Sequence, residues 1–322
     1  MNFPQVLNRV IQGEDLGRDE AAAVTQAIMS GVLSPVQIAG FLTALRAKGE
    51  TPEEITGFAA TMRAFATAIP ATRRPLVDTC GTGGDGHGTF NISTTAAFVV
   101  AGAGVAVAKH GNRSASSKCG SADVLEALGV HIDAAPEAVA RAIDEVGIGF
   151  LFARNLHGAM KYVAPVRAEL KVRTVFNLLG PLTNPARADA QVMGVFDAKW
   201  TEPLAEVLGN LGTRHAFVVA GADNLDEIAL HGETTVAEVS ARGISTYTVS
   251  PEQFGLSRAP LAALEGGEAA ENAEILREVL AGKPGPRRDI ILLNAAPALV
   301  AGQAAGDLRE GIEVARRAID SG

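Results

Sequence analysis

Cysteine is scarce. Cys80 and Cys119 are the two in 322 residues, too few for a disulfide framework, and neither stands at metal-ligand spacing with the six histidines. Thiol and zinc mechanisms are thereby disfavoured. The longest apolar stretches, AAFVVAGAGVAVA at 96–108 and IILLNAAPALVAG at 290–302, are too short for a membrane span and read as buried core. The first residues, MNFPQVLNRVIQGEDLGRDE, lack the basic-then-apolar pattern of a signal peptide, so a soluble cytoplasmic protein with no membrane partner is expected. Positive charge is also in deficit: 28 Lys and Arg against 36 Asp and Glu give a formal charge of −8. Such a surface should repel nucleic acid, and an anionic ligand would need a local basic pocket. Internal repeats and low-complexity segments are absent too.

What is present is ordinary globular composition, 47% hydrophobic and 20% charged, in a chain long enough to bury roughly 75% of its unfolded surface. The first 70 residues read as about four short helices in a small bundle. Thr51-Pro52-Glu53-Glu54 is the plainest start signal, with Thr51 as cap, Pro52 at the first helical position and Glu54 closing a capping box. Ser34-Pro35 is a weaker version. Ile55, Phe58, Ala59, Met62, Phe65 and Ala66 recur at helical spacing and predict one buried face.

From Pro75 short apolar runs alternate with helical patterns. Strands are predicted at 75–79, 105–109, 148–153, 191–196 and 215–220, and helices near 93–103, 121–129, 136–146, 158–170 and 201–211. This alternation predicts an α/β fold with a mostly parallel central sheet surrounded by helices. TTVAEVS and ISTYTVS around Arg242-Gly243 read as an antiparallel hairpin, followed by helix. The expected division is a small helical domain at 1–70, with a returning segment near 171–187, and a large α/β domain at 75–322. PATRRP at 70–75 would link them.

Three strand ends carry residues suited to one ligand. After the first strand, five glycines fall within residues 81–88, followed by Asn91-Ile92-Ser93-Thr94-Thr95 leading into a helix. Bare backbone amides and a helix N-terminus suit a diphosphate. A glycine-rich turn with a Ser/Thr helix cap would look the same locally. The stretch lacks the Lys-Ser/Thr ending of GxxxxGK[ST], so a nucleoside triphosphate reading loses support. A dinucleotide reading is not adopted either. After the second strand, residues 109–118, KHGNRSASSK, contain three cations and no acid, suited to gathering phosphate oxygens unless they form a solvated surface loop. Two such loops point to a ligand with two separate phosphate groups. After the strand HAFVVA, Asp226 and Glu227 could hold Mg²⁺, a hard cation that takes oxygen ligands. An acidic helix turn is the plainer alternative.

Together, GTGGD with NIST, KHGNRSxSSKxGSADVLEALG, HxAMKYVAPVRxELxVRTxFNLLGPLTNP and the later LDE resemble the anthranilate phosphoribosyltransferase family, over about residues 78–227. The resemblance implies a Mg²⁺-dependent pentosyltransferase of tryptophan biosynthesis, joining anthranilate to 5-phosphoribosyl 1-diphosphate with release of diphosphate. It assigns the phosphoribosyl diphosphate to Gly81, Gly84, Asp85, Thr89, Asn91, Ile92, Ser93, Thr94, Lys109, His110, Gly111, Asn112, Arg113, Ser114, Ala115, Ser116, Ser117 and Ser121. Anthranilate falls to Gly81, Asn112 and Arg167, with His110 and Met160 lining the same pocket. Ser93, Asp226 and Glu227 become the ligands of Mg²⁺, as two ions. A homodimer through the small domains, with the large domain closing over the substrates, is also implied. No general base is assigned, His110 being the candidate. The role of Asp85 stays open between orienting the ribose, orienting metal waters and fixing the loop. Gly158 stands where the family commonly has proline, and Cys119 where it commonly has serine. A pyrimidine nucleoside phosphorylase and a non-catalytic nucleic-acid-binding relative are the alternatives.

Overall fold

A computed structural model describes residues 1–114 and 118–322. The first 65 residues form four helices, α1 (Phe3–Ile11), α2 (Arg18–Met29), α3 (Pro35–Lys48) and α4 (Pro52–Phe65). Thr51 and Ser34 cap as expected: Thr51 accepts from the Glu54 amide while the Glu54 carboxylate accepts from Thr51 N, and Ser34 and Gln37 repeat the arrangement. Glu54 is fully buried and also accepts from Leu16 N and Lys48 Nζ at 2.9 and 3.0 Å. The acid that closes the capping box therefore ties three segments together. Ile55, Phe58, Ala59 and Met62 are buried as their spacing predicts. Phe65 and Ala66 are corrections: α4 ends at Phe65, which is 39% exposed at the rim of a hollow it lines with Met62 and Met160, and Ala66 lies past the helix end and is only half-buried.

The alternating region contains β1 (Leu76–Asp78), α5 (Ile92–Gly102), β2 (Ala106–Gly111), α6 (Ser121–Ala127), α7 (Pro136–Arg141), β3 (Ile148–Phe152) and α8 (Ala153–Leu156). It continues through α9 (Ala164–Leu170), α10 (Phe176–Leu179), β4 (Ala190–Gly194), α11 (Thr201–Asn210), β5 (His215–Gly221), β6 (Thr234–Ser240) and β7 (Gly243–Val249). Helices α12 (Ala269–Leu280), α13 (Pro286–Ala301) and α14 (Leu308–Ser321) complete the chain. The sheet order is β3-β2-β1-β4-β5-β6-β7. The first five strands in that order pair in parallel and the last two add antiparallel.

Between β1 and β4 the order of connection reverses, which opens a crevice at the carboxyl ends of the strands. All three loops singled out in the sequence leave from that edge. Side-chain alternation gives the sheet two covered faces. Val192 and Val219 pack with α5, α13 and α14, whereas Met193 and Val218 share a core with α11 and the small bundle. That second core also contains Val163, Val166, Val175, Phe176, Leu178, Leu179 and Leu182, so the chain returns to the helical bundle after β3. Arg63 of α4 fastens the same junction, donating from Nε to Leu182 O at 2.7 Å and from Nη1 to Leu211 O at 3.3 Å. Burial pushes its pKa down to about 10, which leaves it charged at neutral pH.

Candidate active site

The glycine loop leaves β1 beside the end of β4. Thr82 N donates to Gly194 O at 2.9 Å, and Gly83 N donates to Asp226 Oδ2 at 2.6 Å. The acid-bearing loop after β5 presses into this gap so closely that a Cβ on Gly194 would lie 1.5 Å from Asp226 O. Only hydrogen at that position leaves the acids room. Asp223 and Asn224, with φ of 56° and 63°, make the turn that aims the following acids. His87 Nε2 lies 2.7 Å from Asp223 O and links the two loops. Gly81, Gly83 and Gly86 do fall at GxGxxG spacing, but α5 begins only at Ile92, whereas a dinucleotide fingerprint opens directly into its helix.

Glu227 Oε1 accepts from Ser93 N at 3.0 Å. The N-terminal end of α5, expected to meet a phosphate, therefore holds one of the acids, as the helix dipole favours. Burial foremost, then the charge of Asp85, raises the Asp226 pKa to about 7; burial and then Asp226 raise Glu227 as well. Asp85 is thus placed electrostatically with the acid pair, and its own Oδ1 accepts from His87 N at 3.3 Å. Three partly buried acids crowded together, with the Ser93 hydroxyl adjoining, form an all-oxygen donor set that fits a hard divalent cation. Lys109 offsets part of this charge from below. It is 3% exposed and its Nζ donates to Thr79 O at 3.0 Å and reaches Ser93 Oγ at 3.4 Å.

The second loop is braced internally. Asn112 N donates to Ser121 Oγ, Ser121 Oγ donates back to Asn112 O, and a Cβ on Gly111 would lie 2.2 Å from Ser121 Oγ. Arg113 pairs with Asp123 at 2.7 Å and Glu126 at 2.9 Å. Asp123 also accepts from Gly120 N and Ser114 N, closing the loop on itself. Although burial opposes it, these partners hold the Asp123 carboxyl below its ordinary range. Ala115, Ser116 and Ser117 lie outside the described residues.

On the acceptor side, Arg167 of α9 is half-buried with its guanidinium carbon 5.8 Å from the Phe176 ring centroid. Among the described residues it has no carboxylate partner, and burial lowers its pKa. Met160 borders the bundle core and lines a hollow with Met29, Met62 and His157.

The helical bundle domain of a glycosyl transferase family matches residues 4–66, and the a/b domain of a glycosyl transferase family matches residues 73–322. The anthranilate phosphoribosyltransferase of Symbiobacterium thermophilum is 60% identical over 317 residues, 98% of this chain and 93% of that protein. The chain belongs to the anthranilate phosphoribosyltransferase family. The crystal structure of the Thermus thermophilus anthranilate phosphoribosyltransferase superposes with a TM-score of 0.93 at 52% identity, covering 98% of this chain and 94% of that one. The Saccharomyces cerevisiae anthranilate phosphoribosyltransferase, in complex with PRPP (5-phosphoribosyl 1-diphosphate) and Mg, gives 0.90 at 28% identity, with coverage of 99% and 93%.

Within this family member, several residues named from the motifs are turned toward the protein. Ile92 is 1% exposed in the core, and its amide donates to Phe90 O at 2.7 Å. Thr94 is buried. Asn91 donates from Nδ2 to Cys119 O and accepts at Oδ1 from Asn272 Nδ2 and the Cys119 thiol. Thr89 forms a bridge to Glu265. The two departures from the family pattern are accommodated. Cys119 supplies its thiol at 3.4 Å to Asn91, a weaker form of what a serine hydroxyl would give. Gly158 has ordinary φ, and a Cβ added there would meet nothing within 4 Å. Burial raises the Cys80 and Cys119 pKa values, so both remain thiols at neutral pH.

His110 is 2% exposed, with Nδ1 3.1 Å from Gly180 O and Nε2 3.2 Å from His157 Nε2. The carbonyl fixes the proton on Nδ1, so Nε2 accepts from His157. Burial and then His157 push the His110 pKa down to about 3, and burial pushes His157 to about 4. Sequence reasoning missed this partner, and with it Asp78, Thr79, Asp123 and Asn184. Asn184 lies inside LLGPLTNP and donates to Asp78 Oδ2 and Ala108 O at 2.7 and 2.8 Å, bracing the ends of β1 and β2.

Proposed function

We infer that the crevice binds 5-phosphoribosyl 1-diphosphate and anthranilate together and forms N-(5-phosphoribosyl)anthranilate and diphosphate, a step of tryptophan biosynthesis. The observation that carries this reading is the union of the acid loop with the glycine loop, Asp226 on Gly83 N and Glu227 on Ser93 N. It supports the reading by bringing carboxylate oxygens, the glycine loop and the start of α5 together at the topological switch point. Ser93, Asp226 and Glu227 would hold Mg²⁺, as two ions in this reading, and the metal would supply charge neutralisation to the departing diphosphate. Gly81, Gly84, Asp85, Ser93 and residues 109–114 with Ser121 surround the donor, and Thr89 and the buried Thr94 support the loops that carry them. Asn91 and Ile92 act chiefly through the loop shape they maintain. Asp85 supports the acid pair.

As the bond from ribose C1 to diphosphate breaks, positive charge develops on the sugar and negative charge on the leaving oxygen. Arg167 orients anthranilate by two parallel hydrogen bonds to its carboxylate, with Gly81 and Asn112 beside it and Met160 lining the pocket. The attacking amine is neutral at pH 7, so no strong base is needed. His110 is assigned no proton transfer, since its Nε2 lone pair is engaged by His157 and it is neutral at pH 7.

Residues 1–70 and the returning segment near 171–187 form the small domain, and residues 75–322 the large one that closes with it over the substrates. Two copies pair through the small domains, where Ile11, Val32 and Val36 leave apolar surface exposed. The working compartment is the cytoplasm, and no helix among the described residues is long and apolar enough to cross a membrane. Incubation with both substrates and Mg²⁺, followed by anthranilate fluorescence, tests the activity. A signal that does not fall on adding the donor overturns it.

A further inference from the structure

Arg173 stands in the connection between α9, which carries Arg167, and α10. Lys171, at φ 51°, turns the chain out of α9 just before it. From there the Arg173 side chain crosses to the donor half of the crevice. Its guanidinium carbon lies 3.9 Å from the centroid of the Phe196 ring, and Nη2 donates to Gly84 O. Phe196 follows the end of β4, close after Gly194, whose carbonyl holds the Thr82 amide. One side chain thus touches the rim of β4 and the middle of the glycine loop.

Arg173 is exposed and, among the described residues, makes no direct ion pair; Asp197 beside Phe196 is bound to Lys199 at 2.9 Å and feels the Arg173 charge only as a lesser, longer-range influence. A guanidinium has five N–H donors. Gly84 O engages one nitrogen and Phe196 one face, which leaves further donors beside Gly83 and Gly84. Those two glycines hold successive positive φ values of 66° and 80°, and the Gly83 amide is already taken by Asp226 Oδ2, so the open donors at this point of the loop are those of Arg173. Two of the three cations in the second loop are placed differently. Lys109 is buried on Thr79 and Ser93, and Arg113 is neutralised by Asp123 and Glu126.

We propose that Arg173 is a ligand of the donor's diphosphate, holding the glycine loop through Gly84 O and the phosphate oxygens through its remaining N–H groups. The inference rests on the crevice being the phosphoribosyl diphosphate site. It gives the segment that positions Arg167 a direct hold on the donor, so the two substrate positions are joined by one short stretch of chain.

The test uses the full chain with Arg173→Gln and Arg173→Lys, titrated with inorganic pyrophosphate in the presence of Mg²⁺ at several salt concentrations, alongside steady-state KM values for both substrates. Arg173→Gln should raise the pyrophosphate Kd and the donor KM roughly 10- to 100-fold, leave the anthranilate KM near that of the parent and weaken the salt dependence of pyrophosphate binding. Arg173→Lys should keep the parent's salt dependence. Unchanged pyrophosphate affinity in Arg173→Gln overturns the proposal. So does an equal loss in both variants with the parent's salt dependence retained, which would make Arg173 a prop for the loop. Failure of the parent to consume anthranilate while it still binds pyrophosphate would instead count against the activity, leaving the Arg173 result readable.

Discussion

The two phosphate-suited loops look like twins in the sequence, each following a strand and each leading into a helix, yet the structure builds them in opposite ways. The first, after β1, is held from outside: Gly194 takes Thr82, Asp226 takes Gly83, Arg173 takes Gly84, and His87 reaches Asp223. The second, after β2, is held chiefly from within, by Asp123 on Gly120, Ser114 and Arg113 and by Ser121 on Asn112, with Asn91 on Cys119 as its tie to the first loop. Counting cations along a loop therefore overstates its free positive charge. A loop rich in glycine imports its charged groups from neighbouring strands, while a loop rich in cations carries counter-charges in the helix it leads into.

The contrast breaks most readily at the imported acids. Asp226→Ala combined with Glu227→Ala should lower kcat by roughly 100-fold or more, comparable to removing a principal electrostatic group, and should displace the Mg²⁺ titration of activity. An unchanged titration would remove these residues from the metal site. Next in size is Arg167→Ala, on the acceptor side of both loops. It should raise the anthranilate KM by roughly 10- to 100-fold through loss of a charge-assisted pair, with the donor KM little altered; the reverse pattern in steady-state kinetics would reject the assignment.

Asp123→Asn addresses the self-braced loop. Losing its ionic contacts should cost about 1–3 kcal/mol of stability, read by chemical denaturation, and should raise the donor KM more modestly than the acid replacements do. If donor KM and stability both hold, the second loop is not organised by Asp123. The smallest effect is expected from the histidine pair behind that loop. His110 and His157 titrate well below the ordinary value near 6.5, so the unfolded chain binds more protons than the folded one as pH falls from about 6.5 to about 4. Stability is lost on acidification across that window. His157→Asn should reduce this loss by on the order of 2 kcal/mol. Asp78, raised to about 6 by burial foremost, moves the opposite way but is common to both proteins. Denaturation curves at pH 4.5 and 7 would compare them; parallel pH dependence in parent and variant would contradict the paired, neutral geometry.

Most of the architecture was legible in the chain itself. Local periodicity marked the strands and helices because a half-buried strand or helix must repeat its apolar residues at fixed intervals. Thr51 and Glu54 announced a helix start because their bonds join residues three apart. The motifs likewise marked which strand ends would carry the chemistry. Phe65 escaped this logic, since its exposure depends on where the helix stops meeting its neighbours.

The sequence by itself determined an α/β protein with a helical N-terminal bundle, two phosphate-suited loops and an acid pair, because each is a statement about residues near one another along the chain. Only the tertiary structure decided which of those groups are available. It gave Ser93 N to Glu227 across 134 positions and Gly84 O to Arg173 across 89, and it covered Lys109 with Thr79 and Ser93. Hydrogen bonding and charge pairing fall off within a few ångströms, so the partners of a donor are fixed by which strand ends the sheet order brings side by side.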